Sequence, residues 1–307
     1  MLRSTELKVG NYSFNWGSRT YLMGILNLTP DSFSGDGLVS DSGWGDIKNG
    51  QGKLIQAALE QARGYVEAGA DILDIGGEST RPGASAIDVN EEILRVIPVI
   101  QSLAQEFNVL ISVDTYKHQV AQAALQAGAH IINDVWGLHA DSEMAGTIAS
   151  NNAVVILMHN RSSWAHAEIK ERLGGRYVGI PYDDLIEDIK RELMDSVDLA
   201  RTAGIPDDKI ILDPGIGFGK SVEQNLELID LLPEIRSLGY PILYGPSRKS
   251  FIGYTLDQPP DQRLAGTAAA VAVGIVRGAD IVRVHDVDFM KQVAVMTDAI
   301  IRRQSEH

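Results

Sequence analysis

Cysteine is missing from all 307 positions. Its absence excludes disulfides, thiolate nucleophiles and cysteine-ligated zinc, and makes a reducing cytoplasm the expected compartment. Long hydrophobic runs are missing too. No apolar stretch approaches the roughly 20 residues that span a bilayer. The start, Met1-Leu2-Arg3-Ser4-Thr5-Glu6, turns polar before the apolar core of a secretory leader can form. Basic residues are outnumbered, with 27 Lys and Arg against 41 Asp and Glu, for a formal net charge of −14. That balance argues against nonspecific nucleic-acid or acidic-membrane binding, which needs a basic face. A local basic pocket for a small anion remains compatible with it. Aromatics are few, 6%, within a chain that is 44% apolar and 22% charged, the composition of a globular protein. The length allows one large domain or two ordinary ones. No linker or composition break divides it, so a single domain over 1–307 is expected.

What the chain does have is a repeat of one pattern: a helical stretch, a glycine, then a short apolar run that ends in polar residues. Glu67-Ala68-Gly69-Ala70-Asp71 leads into Ile72-Leu73-Asp74-Ile75-Gly76, and Gln126-Ala127-Gly128-Ala129 into His130-Ile131-Ile132-Asn133-Asp134. Arg277-Gly278-Ala279-Asp280 leads in the same way into Ile281-Val282-Arg283-Val284-His285. Glycine ends a helix in the left-handed conformation, and the β-branched run after it favours a strand. Eight strands are predicted: Tyr21–Asn27, Ile72–Gly76, Leu110–Asp114, His130–Asp134, Val154–His159, Ile210–Pro214, Ile242–Tyr244 and Ile281–His285. The intervening stretches carry apolar residues at helical spacing, most clearly Leu54, Ile55, Ala58, Leu59, Ala62, Tyr65 and Val66. Eight strand–helix units fit an α/β parallel (β/α)8 TIM barrel; a doubly wound open sheet is the alternative that periodicity leaves open. Leu7–Phe14 alternates around Gly10-Asn11, which predicts an N-terminal β-hairpin placed to plug the amino end of a barrel. The segments 29–52 and 160–182 are longer than connectors require and are read as long loops, candidates for lids.

In such a barrel the chemistry belongs at the carboxyl ends of the strands. Those ends carry Asn27, Asp74, Asp114, Asn133 with Asp134, His159, Asp213, the run Ser247-Arg248-Lys249, and Arg283 with His285. Each alone reads equally well as a cap or turn residue. Together they converge charge, which is costly unless something binds there. Asp114, Asn133 and Asp213 offer acceptors for a flat ring bearing amino and amide donors. Arg81, Lys249, Arg283 and His285 offer positive charge for a phosphate, and Asn27 a neutral oxygen for a magnesium shell completed by water and phosphate. A heteroaromatic ligand with an anionic tail suits both halves. Lys249 also has a Schiff-base reading, as in aldolases, and Gly217-Phe218-Gly219 reads as a tight turn before it reads as a phosphate loop. His130, His139 and His166 are taken as ordinary histidines, and Trp164 is left unassigned.

On these residues the sequence resembles the dihydropteroate synthases from Tyr21 onward. Met23-Gly24-Ile25-Leu26-Asn27-Leu28-Thr29-Pro30-Asp31-Ser32-Phe33-Ser34 is similar to that family's first signature, and Asp74-Ile75-Gly76-Gly77-Glu78-Ser79-Thr80-Arg81-Pro82-Gly83 to its second. Ser112-Val113-Asp114-Thr115, Ile132-Asn133-Asp134, Leu157-Met158-His159, the run Leu212 to Lys220, Ser247-Arg248-Lys249-Ser250 and Arg283-Val284-His285-Asp286 follow in order. The resemblance implies condensation of a dihydropterin methyl diphosphate with 4-aminobenzoate, giving dihydropteroate and diphosphate in folate synthesis. It implies a pterin site of Asp74, Asp114, Asn133, Met158, Asp213, Lys249 and Arg283, and a diphosphate site of Asn27, Arg283 and His285, with Asn27 toward Mg2+. It places 4-aminobenzoate among Phe33, Thr80, Arg81, Pro82, Phe218 and Ser250, makes the enzyme a sulfonamide target, and implies a homodimer through late helices. Asp114, Lys249 and Arg283 are the expected catalytic residues. A neutral aniline nitrogen needs no strong general base, in keeping with the lack of a nucleophile–base pair, so a dissociative substitution without a covalent enzyme intermediate is expected. A pterin-binding methyltransferase of the same barrel family is the enzymatic alternative, which Ser79-Thr80-Arg81-Pro82 and Ser247-Arg248-Lys249-Ser250 disfavour. A non-catalytic pterin carrier would lack members of the set Asn27, Arg81, Arg283 and His285, all of which are present.

Overall fold

A computed structural model describes residues 2–29, 47–79, 86–163, 166–170 and 172–302. The chain opens with an antiparallel hairpin, β1 (Glu6–Val9) and β2 (Tyr12–Asn15), paired Leu7 to Phe14 across the turn. Strand and helix then alternate: β3 (Tyr21–Asn27), α1 (Ile47–Glu67), β4 (Ile72–Gly76), α2 (Val89–Glu106), β5 (Leu110–Asp114), α3 (His118–Ala127), β6 (Ile131–Asp134) and α4 (Met144–Ser150). The fifth barrel strand, β7 (Val154–Met158), is followed by an outlying pair, β8 (Ala167–Lys170) and β9 (Gly174–Tyr177), and by α5 (Leu185–Thr202). After β10 (Ile210–Asp213) come α6 (Val222–Asp230) and α7 (Leu232–Arg236). Then follow β11 (Leu243–Tyr244), α8 (Ser250–Leu256), α9 (Leu264–Val276), β12 (Ile281–Val284) and α10 (Val287–Ile301).

The eight strands that were read from the sequence form one parallel sheet in the order β10-β7-β6-β5-β4-β3-β12-β11. Its two edges meet at a parallel bridge between Leu212 and Ile242, backed by a bond from Leu212 N–H to Pro241 O at 2.9 Å. The barrel is thereby closed and the open-sheet alternative falls. The strands are a residue or so shorter than expected: His130, His159, Pro214 and His285 lie just outside them. The larger difference is in 160–182. Read as a loop, it contains the β8–β9 hairpin, paired from Ala167 with Tyr177 to Lys170 with Gly174.

Period-2 alternation decides which residues enter the barrel. Leu22, Leu26, Leu73, Ile75, Ile111, Val113, Val155, Leu157 and Leu212 pack outward against the helices in one aliphatic core. Their neighbours Tyr21, Met23, Ile72, Leu110, Ile131, Val154, Ile156, Ile211, Leu243 and Ile281 fill the interior near the amino end, together with Leu7, Phe14 and Trp16 of the hairpin region. The hairpin is therefore the plug that its sequence predicted. Helix starts are set locally: the Asp88 carboxylate accepts from Glu91 N–H, and Ser221 with Gln224 forms a capping box. Pro98 inside α2 has no N–H for the Leu94 carbonyl. That carbonyl accepts instead from Gln51 Nε2 at 3.2 Å, which ties α1 to α2.

Candidate active site

Further along the same strands the inward positions change character. One pair beyond Ile72 stands Asp74, beyond Leu110 comes Ser112 and then Asp114, beyond Ile131 comes Asn133, beyond Ile211 comes Asp213, and beyond Ile281 comes Arg283. Cross-strand register places them side by side: Asp74 opposite Ser112, Gly76 opposite Asp114, Asp114 opposite Asn133, and Asp213 opposite Met158.

The guanidinium of Arg283 joins the cluster. Its Nε donates to Asp74 Oδ2 at 2.6 Å and its Nη2 to Asp114 Oδ2 at 2.9 Å, while Asn133 Nδ2 donates to the same Asp74 oxygen at 3.3 Å. Asp74 is fully buried. Its other oxygen, Oδ1, and the neighbouring Ser112 hydroxyl have no hydrogen-bond partner among the described residues. Buried acceptors of this kind are normally met by a ligand or by water. Burial pushes the Asp114 carboxyl up to about 7, with Arg283 opposing the rise and Asp74 adding to it.

Across the mouth, Lys249 donates to the carbonyl of Ile216 and holds its ammonium 4.5 Å from the centre of the Phe218 ring. Burial pulls the Lys249 amine down to about 8, against the stabilising charge of Asp213; burial likewise raises Asp213, against Lys249. Asp213 Oδ1 accepts from Gly215 N–H at 2.7 Å and so starts the following turn. In that turn Gly215 and Gly217 adopt φ of +71° and +82°, as the tight-turn reading requires. A Cβ on Gly215 would lie 1.8 Å from the His159 carbonyl, and one on Gly217 would lie 2.8 Å from Lys249 Cδ. Ser250, the first residue of α8, directly follows Lys249. His285 meets Ser247 twice: Oγ and Nδ1 are 2.9 Å apart, and the His285 N–H donates to Oγ at 3.2 Å. Asn27, at the end of β3, is registered with Gly76, whose other neighbour is Asp114.

Other strand-end residues turn away. Asp134 has outward parity, and its carboxylate accepts from Trp136 N–H at 2.8 Å and Leu138 N–H at 2.9 Å, so it shapes a loop rather than the site. Arg248 pairs with Asp286. His159 lies behind the barrel wall, bonded to Lys220 and Glu192. Met158 faces inward and also borders a cleft of about 670 Å³ lined by Tyr116, Trp136, His139, Asn160 and Glu192. Phe33, Thr80, Arg81 and Pro82 lie outside the described residues, as does Trp164.

Sequence reading missed Lys220, Tyr116, Lys117 and Glu78. Lys220 is 2% exposed, and burial pulls its amine down to about 7 against the charge of Asp213. A lysine directly after Gly217-Phe218-Gly219 was the available signal. Lys117 binds Glu78 and Glu92 while Tyr116 donates to Glu78, directly before Ser79. Among the described residues no group of three or more His, Cys, Asp or Glu side chains is arranged to hold a metal ion. None of their helices is long and apolar enough to cross a membrane.

Comparison with known proteins places this geometry in context. Residues 23–285 match the family described as pterin binding enzyme. The chain is 45% identical to a dihydropteroate synthase of Clostridium beijerinckii over 298 residues, covering 97% of this chain and 100% of the relative. The solved structure of the Clostridium difficile dihydropteroate synthase, obtained in the presence of pteroic acid, superposes with a TM-score of 0.81 at 47% identity. That match covers 94% of this chain and 100% of the other. The Xanthomonas albilineans enzyme, solved with 4-aminobenzoic acid, gives 0.83 at 37% identity, over 98% of this chain and 100% of that one.

Proposed function

From the premise that the chain belongs to the pterin binding enzymes, within the dihydropteroate synthases, we propose how its strand-end residues divide the work. The reaction is a transfer: a dihydropterin methyl group carrying diphosphate is joined to 4-aminobenzoate in folate biosynthesis. The observation that carries the division is the Arg283 bridge between Asp74 and Asp114, beside acceptors that have no donor among the described residues. Asp74, Asp114, Asn133 and Asp213, with Met158 along the wall, form the pterin pocket, and Lys249 closes it. Asp74 Oδ1 and Ser112 Oγ supply acceptors at its floor for ring amino and amide groups. His285, Arg283 and Asn27, at the mouth, take the diphosphate.

The Mg2+ reading fits the donor chemistry in a limited way. Asn27 offers one neutral oxygen, and the described residues hold no ligand cluster of their own. Asn27 would therefore hold the ion together with water and diphosphate oxygens. When bound, the ion supplies charge neutralisation on the leaving diphosphate. We propose a dissociative substitution. The methylene C–O bond breaks with its electron pair departing on the diphosphate, and Asp114 faces the resonance-stabilised pterin cation. The arylamine nitrogen then forms the new C–N bond and releases a proton to solvent. Arg283 balances two carboxylates before substrate arrives and charge on the diphosphate as it leaves. Phe218 and Ser250 border the 4-aminobenzoate side, with Phe33, Thr80, Arg81 and Pro82 completing it, and sulfonamides compete there.

The partner we propose is a second copy of the chain. Val273 and Val276 of α9 are 44% and 56% exposed, and Val295 and Met296 of α10 are 56% and 62% exposed. The two helices pack side by side. Exposed apolar side chains on two neighbouring helices favour association. The compartment we propose is the cytoplasm, in keeping with the cysteine-free composition.

The deciding experiment is turnover of dihydropterin methyl diphosphate and 4-aminobenzoate with Mg2+, followed by mass detection of dihydropteroate. Product formation without any covalent pterin–enzyme species supports the reading; a trapped adduct overturns the dissociative step. Transfer of a methyl group to a thiol or cobalt acceptor would support the methyltransferase instead.

A further inference from the structure

The turn 213–220 contains Gly215, Gly217 and Gly219, all at positive φ. Three such residues in one short turn leave the backbone free to take many shapes, so its order has to come from outside contacts. Lys220 supplies several. Its Nζ donates to Gly215 O at 2.9 Å and to Phe218 O at 3.1 Å, and meets His159 Nδ1 at 3.0 Å. An ammonium has three protons to donate, and here each has an acceptor, which is what burying the group requires. The two carbonyls it takes flank that of Ile216, which accepts from Lys249. One lysine thus holds the turn from below and another from the site above. Asn225 fixes the middle, its Oδ1 accepting from Gly217 N–H at 2.6 Å.

Lys220 is itself held. Because His159 Nδ1 accepts from Lys220, Nε2 carries the ring proton and donates to Glu192 Oε2 at 3.1 Å. The guanidinium of Arg161 clamps Glu192, with Nε at 2.9 and 3.0 Å from its two oxygens. The backbone of Arg161 returns to the same turn, where a Cβ on Gly219 would lie 2.5 Å from the Arg161 carbonyl carbon. The network therefore runs from α5, through the end of β7, to the underside of the turn.

We infer that Lys220 is a positioning residue for the arylamine substrate: it holds the Phe218 ring beneath the Lys249 ammonium without touching either substrate, and the His159–Glu192–Arg161 chain holds Lys220 in place. This deepens the synthase reading and rests on it. The two substrates depend on the turn unequally. Phe218 sits within the glycine turn, whereas Asp213 belongs to β10 and is fixed by pairing with β7. Loosening the turn disturbs the arylamine side first.

The test is Lys220→Met, which keeps the length of the side chain and removes its donors. The 4-aminobenzoate KM rises roughly tenfold, while the Kd for 6-hydroxymethylpterin changes less than about twofold and kcat falls less than about threefold. Lys220→Arg, which restores donors, brings KM back to within about threefold of the parent. Equal losses on both substrates, or an unchanged arylamine KM, overturn the inference. If Lys220→Met does not fold, Glu192→Gln at the more exposed far end is measured in the same way. A rise of about threefold in arylamine KM alone supports the relay, and no change overturns it. The parent protein is assayed first: failure to form dihydropteroate there sinks the synthase reading and leaves the two failures distinguishable.

Discussion

At the amino end of the barrel, Tyr21, Ile72, Leu110, Ile131 and Ile281 face inward onto Leu7, Phe14 and Trp16. At the carboxyl end the same strands, with the same parity, face inward with Asp74, Asp114, Asn133 and Arg283. One two-residue step along β4 separates Ile72 from Asp74, and the same step along β12 separates Ile281 from Arg283. Both ends are largely buried, yet they differ in what lines them. Below, ring packing dominates: the Phe14 ring meets Tyr21 edge-on at 4.4 Å and stacks on Trp16 at 5.8 Å, and Trp16 Nε1 is the polar atom of these rings that has no hydrogen-bond partner among the described residues. Above, Asp74 keeps a buried oxygen with no partner among the described residues. One fold therefore keeps an apolar end, which supplies stability through packing, and a charged end whose open acceptors suit a ligand.

The largest expected effect breaks the upper end. Arg283→Ala removes the diphosphate-facing cation and leaves Asp74 and Asp114 facing one another. A fall in kcat/KM of about 10³ is expected by analogy with losing a preorganised charge-stabilising donor, measured by steady-state kinetics. The loss should be larger for the diphosphate substrate than for binding of free pterin, and equal losses would contradict the division of labour. Phe14→Ala probes the opposite end. Emptying that site should cost about 3–5 kcal/mol of stability, read by denaturant unfolding, while kcat/KM at low temperature stays at the parent value. A comparable fall in activity would show that the two ends are coupled.

Lys249→Ala should weaken a pterin analogue roughly tenfold to a hundredfold, as loss of a charged contact worth about 1.5–3 kcal/mol implies; calorimetry would measure it, and unchanged affinity removes Lys249 from the pocket. The remaining prediction is a pH slope. The Asp114 carboxyl rises from 3.8 to about 7 on folding, mainly through burial. The native state then binds this proton more tightly than the unfolded chain does, so stability falls as pH rises from about 4 to about 7. Asp213 titrates in the same direction. Thermal melting of the ligand-free protein should show the fall, and Asp114→Asn should flatten part of it. An unaltered slope in that variant assigns the effect elsewhere.

The barrel was legible because the strands carry an apolar outward row and several, such as β4, β6 and β12, have a glycine shortly before them, signals that local chemistry dictates. Strand-end polarity gave the location of the site for the same reason. Parity separates Asn133, which enters the site, from Asp134, which caps a loop, and parity can be assigned once the strand's inner row is known. The β8–β9 hairpin was not legible. Ala167-Glu168-Ile169-Lys170 alternates apolar and polar over only four residues, and Ile169 is 65% exposed, so the pattern is too short to mark a strand. Lys220 escaped for a different reason: its partners His159, Gly215 and Phe218 come together only through the turn, and nothing in its own neighbourhood states that it is buried. Arg283 and Asp74, 209 positions apart, were both legible as strand-end residues, while their direct bond was not.

The hairpin at the foot of the barrel also has a consequence for how the molecule is made. Leu7 and Phe14 leave the ribosome before any strand they pack on, and the surface that receives them includes Leu243 and Ile281. The hairpin, made before these strands, must therefore wait uncovered until Ile281 has emerged. Until then its apolar side chains are exposed surface that a chaperone could cover.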